Sequence, residues 1–81
     1  MYYLIDTRTG MLYAKGSSVY WLLKDLRRNR SLTYRESWKP PYYDRLMGLL
    51  LDPFFPPAGS WAELKEAISS VTRYVVLVKA L

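Results

Sequence analysis

The two ends of this chain read as strands and its middle reads as helices, an order that leaves few ways to build a core. At the N-terminus Tyr2, Tyr3, Leu4 and Ile5 favour β structure, and Met11, Leu12 and Tyr13 resume that character. Between them lies Asp6-Thr7-Arg8-Thr9-Gly10, where Asp first and Gly last suit a type I turn closed by a residue with positive φ. Near the C-terminus Thr72 to Lys79 (TRYVVLVK) holds an unbroken apolar run from Tyr74 to Val78, the pattern of a central strand covered on both faces. One hairpin alone is barely stable in water, so this last strand is expected to pair with it.

Three helical stripes fill the interval. Val19, Leu22, Leu23 and Leu26 fall at i, i+3, i+4 and i+7, after Gly16-Ser17-Ser18 has stopped the strand and offered a capping hydroxyl. Residues 29–41 carry no such stripe and are expected to form a loop or a short strand. Pro40-Pro41 then leads into a second helix over Tyr42 to Leu51, with Tyr43, Leu46, Met47 and Leu50 as its core side. Ser60-Trp61-Ala62-Glu63 is a capping box that opens a third helix, whose inner side is Trp61, Leu64, Ile68 and Val71. The expected fold is a single α+β domain spanning 1–81. It has a small three-stranded antiparallel-type sheet packed with about three helices in the order ββαααβ.

Charge and aromatic rings are concentrated in one stretch. Seven of the twelve basic residues lie between Tyr20 and Arg45, against three of the seven acids, and the chain as a whole carries +5. Tyr20, Trp21, Tyr34, Trp38, Tyr42 and Tyr43 share that window. At about 100° per residue, Tyr20, Lys24, Arg27 and Arg28 occupy a helix face separate from the core stripe. Trp21 lies on the far side of the helix, so it is either covered by another segment or open to a partner.

The chemistry this composition supports is recognition. Histidine and cysteine are absent, which removes the usual general base near neutral pH, the usual thiol nucleophile and the common nitrogen and sulfur metal ligands. The acids are scattered, and Gly10 and Gly16 make no phosphate-binding pattern. The chain is therefore expected not to be an enzyme and to need no cofactor or metal. MYYLIDTRTG does not read as a signal peptide, since Asp6 interrupts its apolar run. No apolar run approaches the ~20 residues of a bilayer crossing. A cytoplasmic location is the expectation.

Arg, Tyr and Trp dominate binding hot spots, and an excess of positive charge favours acidic partners. The expected contact residues are Tyr20, Lys24, Arg27, Arg28, Arg30, Tyr34, Arg35 and Trp38, with Phe54 and Phe55 as a secondary patch. Leu49 and Leu51 would extend that patch into a surface for a partner or for a homodimer. The expected function is a non-catalytic basic module that docks onto a larger protein or nucleoprotein complex with an acidic face. Viruses and mobile elements encode inhibitors of this economy, which act by occlusion. The alternative is a nucleic-acid-binding protein, with the basic helix face on phosphates and Tyr20, Tyr34 or Trp38 stacked on unpaired bases. No helix-turn-helix, zinc-finger or ribonucleoprotein motif supports that alternative.

Overall fold

A computed structural model describes residues 1–33, 39–52 and 60–80, and of residues 30–33 the backbone alone. The expectations for Tyr34, Arg35, Trp38, Phe54 and Phe55 lie outside the described residues, as do those for the side chain of Arg30.

The hairpin is organised by one carboxylate. Asp6 ends β1 (Tyr2–Asp6), and its Oδ1 accepts from the backbone N–H groups of Arg8 at 2.9 Å and Thr9 at 3.4 Å. Its carbonyl accepts from Gly10 N–H at 2.8 Å. Gly10 has φ 76°, a conformation open to glycine and strained for other residues, so the expected turn is present. β2 (Leu12–Gly16) runs back antiparallel to β1, further than the sequence suggested. Pairing steps from Leu4↔Ala14 to Ile5↔Leu12, which leaves Tyr13 as the extra residue of a bulge. The bulge lets Tyr13 and Ala14 both turn inward, and both are buried.

β3 (Val75–Lys79) pairs antiparallel with β1, giving the order β2-β1-β3. The α+β class, the three antiparallel strands and the order ββαααβ are as the sequence led one to expect. The placement of β3 is not. The central strand is β1, and β3 lies at an edge, with the helices of the described residues on one face. Its unbroken apolar run reflects Val75 facing the core and Val76 and Val78 facing outward, 36% and 42% exposed.

All three helices lie on the Leu4 face of the sheet. α1 (Val19–Thr33) buries Val19, Leu22, Leu23 and Leu26, the predicted stripe. It approaches β2 so closely that a Cβ on Gly16 would lie 2.3 Å from the Leu22 nitrogen. The helix also runs on to Thr33, where the sequence suggested a loop from residue 29. Propagating a nucleated helix needs no apolar stripe of its own, and Asn29 Nδ2 donates to Asp25 Oδ2 across the next turn at 3.2 Å. α2 (Tyr43–Leu50) follows Pro40, whose carbonyl accepts from Tyr43 N–H at 3.0 Å. It buries Tyr43, Leu46, Met47 and Leu50 as expected. α3 (Trp61–Ser69) is capped by Ser60, whose Oγ accepts from Glu63 N–H at 3.2 Å. Trp61 stacks on Tyr2, ring centroids 3.7 Å apart, and so ties α3 to the sheet.

The fully buried Asp6 also gathers two tyrosine hydroxyls, one from the buried Tyr13 and one from the partly buried Tyr42. Its Oδ2 accepts from the Tyr13 hydroxyl at 2.6 Å and the Tyr42 hydroxyl at 2.7 Å. One side chain thus joins the turn, the bulge and the approach to α2.

Candidate functional site

The outward side of α1 follows from its inward side. With the apolar stripe fixed on β2, the turns carrying Tyr20, Trp21, Lys24, Arg27 and Arg28 face away from the core, and each of these residues is exposed. Tyr20 is 48% and Trp21 54% exposed. The two rings meet edge to face, centroids 5.2 Å apart and planes at 81°. Lys24, one turn further on, places Nζ 5.5 Å from the Tyr20 ring and 5.4 Å from the Trp21 ring, and donates to the Tyr20 hydroxyl at 3.4 Å. Each cation–ring contact at an exposed site contributes about 0.5–1 kcal/mol. The three side chains therefore hold one another in a defined arrangement before any partner arrives.

Asp25 is the one acid within this surface, and its charge is turned inward. Its side chain is only 11% exposed. Oδ2 accepts from Lys15 N–H of β2 at 2.9 Å as well as from Asn29. Oδ1 accepts from Arg28 at 2.6 Å, although Arg28 itself stays 77% exposed. Asp25 thus pins α1 to the edge of β2, and Lys15, Lys24 and Arg27 are left as cations with no ion pair among the described residues. Where α1 begins beside β2, a shallow groove of about 350 Å³ is lined by Met1, Lys15, Ser17, Trp21, Lys24 and Arg28. It combines apolar surface with three cationic side chains and the inward-turned carboxylate of Asp25.

Of the residues the sequence singled out, the structure brings together Tyr20, Lys24, Arg27 and Arg28. α1 extends through Arg30 in its backbone. Leu51 does not extend a free apolar patch, because it is half-buried against the core. Sequence reasoning left Trp21, Met1 and Lys15 out of the contact set. Trp21 was legible, since it lies opposite the core stripe. Met1 and Lys15 reach the groove only through strand pairing, which the linear pattern does not encode.

A second ring–cation cluster was also missed. Tyr74 stacks near Tyr42 at 5.8 Å and lies beneath Arg8 at 5.5 Å and Arg73 at 5.3 Å. The hydrogen bond from Arg73, and then its charge, lower the Tyr74 hydroxyl below its ordinary pKa, with Arg8 adding to the effect. The same bond raises Arg73.

Among the described residues no group of three or more acids could hold a metal ion, and no helix is long and apolar enough to cross a membrane. No family model, no curated protein and no solved structure matches this chain. The fold and the site are thus a two-layer α+β domain carrying a basic, aromatic helix face.

Proposed function

We propose that this protein is a non-catalytic docking module that engages an acidic face of a larger protein or nucleoprotein complex through the outer side of α1. The observation that carries the reading is the half-exposed Trp21, held against Tyr20 by Lys24 and flanked by Lys15 and Arg28. With about half of its surface still in water, Trp21 forgoes on the order of 1 kcal/mol or more of burial, and a pre-ordered ring beside cations recovers it on contact with a partner carrying carboxylates. Such a partner would place an apolar side chain against the Trp21 ring and carboxylates against Lys24 and Arg27.

A protein face suits the geometry better than a nucleic acid. Tyr20 and Trp21 are perpendicular and Lys24 lies over both, so they form a knob and not a pair of parallel platforms for successive bases. The discriminating experiment is a fluorescence anisotropy titration against two labelled probes of equal charge. One is a Glu-rich peptide containing Leu and Phe, the other a single-stranded oligonucleotide. The proposal expects tighter binding of the peptide at physiological salt, and its loss in Trp21→Ala. Tighter binding of the oligonucleotide, falling on the order of 10²-fold between roughly 50 and 200 mM salt as about five phosphate contacts on a single strand would give, would replace the reading with nucleic-acid binding.

A further inference from the structure

The two edges of the sheet are treated differently. At the β2 edge the outward N–H of Lys15 is taken by the Asp25 carboxylate at 2.9 Å, and α1 lies alongside. At the β3 edge no such cover exists among the described residues. The bonding register there follows from its ends: Thr7 N–H donates to the Tyr74 carbonyl at 2.7 Å, and Ala80 N–H donates to the Met1 carbonyl at 2.9 Å. Antiparallel pairs alternate, so Val76 and Val78 turn their backbone groups toward β1, and Val75, Leu77 and Lys79 turn theirs away from it. None of these three has a described partner for its outward N–H or C=O.

Beside this row lies a groove of about 250 Å³ between β3 and α3, lined by Lys65, Ile68, Ser69, Val75, Val76 and Leu77. Its floor is apolar, its one charged lining residue is Lys65, and Lys79 stands at the end of the strand. From this we infer that the β3 edge is a strand-addition site for an extended acidic peptide segment of a partner protein. The row of outward amides and carbonyls specifies an extended backbone. The groove specifies an apolar side chain at the alternate position that faces α3. Lys65 and Lys79 specify carboxylates at the flanks. A second copy of this chain fits less well, since each copy carries +5 and would bring its own Lys65 and Lys79 to the shared seam. This site shares no residue with the α1 face, so each can fail without the other.

The test uses the full-length, isotope-labelled protein and the capped peptide Glu-Thr-Val-Thr-Val-Glu, with amide exchange followed by NMR. At saturation, exchange at Val75, Leu77 and Lys79 should slow about tenfold or more, with Val76 and Val78 unchanged. Lys65→Glu, an exposed helix position, should weaken the acidic peptide up to about fivefold and favour the analogue with Lys in place of Glu. Failure of the peptide to slow the three outward amides overturns the inference. So does their slow exchange in dilute monomer, which would mean the edge is covered from within. Protection that rises with protein concentration together with a doubled sedimentation mass would assign the edge to a second copy and overturn it as well.

Discussion

Removing the Asp6 carboxylate should unfold most of what the hairpin holds together. In Asp6→Ala the Tyr13 and Tyr42 hydroxyls each lose a bond of 2.6–2.7 Å, the length of a charge-assisted O–H···O contact. Such bonds contribute about 1.5–3 kcal/mol each, and the lower figure twice gives about 3 kcal/mol. Loss of the turn bonds to Arg8 and Thr9 adds about 1 kcal/mol, for roughly 4 in all. A chain of this size has a total stability of about 4–12 kcal/mol, so the variant should be marginal. At about 4–8 °C per kcal/mol, its melting temperature should fall by roughly 15–30 °C. Urea unfolding followed by circular dichroism measures the change. Tyr42→Phe, which removes one hydroxyl and no volume of consequence, should lose about 1.5–2 kcal/mol. The double variant should be less destabilised than the sum of the singles by about 1 kcal/mol or more, because both act on one cluster. A loss under about 1 kcal/mol in Asp6→Ala would refute the view that this carboxylate organises the fold.

Gly16→Ala should destabilise by about 3 kcal/mol in the same assay, since its Cβ would meet Leu22 backbone, which cannot move without lifting α1. Ser60→Ala should lose about 1 kcal/mol with the α3 cap, and Ser60→Thr should recover most of it. Tyr74 should titrate below the ordinary value of about 10, read from its ring carbon shift, and Arg73→Ala should move it back up. Because the folded value is the lower one, the stabilisation from this pair is fully present above the unfolded value and is lost as pH falls through the folded one.

Much of the scaffold could be read from residue order because local and tertiary preferences agree there. The stripe of Val19, Leu22, Leu23 and Leu26, the Ser60 cap and the Asp6–Gly10 turn each follow from bonding within a few residues, and each is present. What depends on long-range pairing was not legible. The continuous run in β3 has the same appearance for a central strand as for an edge strand with an uncovered apolar face, and only pairing with β1 decides between them. Asp6 read as a turn residue, yet its second oxygen is satisfied from Tyr42, 36 residues away. At the candidate site the helical part was visible as a face of Tyr20, Lys24, Arg27 and Arg28. The contribution of Lys15 was hidden because a strand edge supplies it.

The most direct test of the docking account is a pair of measurements on Lys24→Glu/Arg27→Glu: its melting temperature and its affinity for the Glu-rich apolar peptide. Both side chains are exposed and make no ion pair among the described residues, and Lys24 gives up two ring contacts of about 0.5–1 kcal/mol each, so the variant should stay folded with a melting temperature lowered by about 5–15 °C. Affinity should fall by about tenfold or more, as like charges then face the probe. Unchanged affinity in a folded variant would contradict the claim that this face of α1 is where the protein meets its partner.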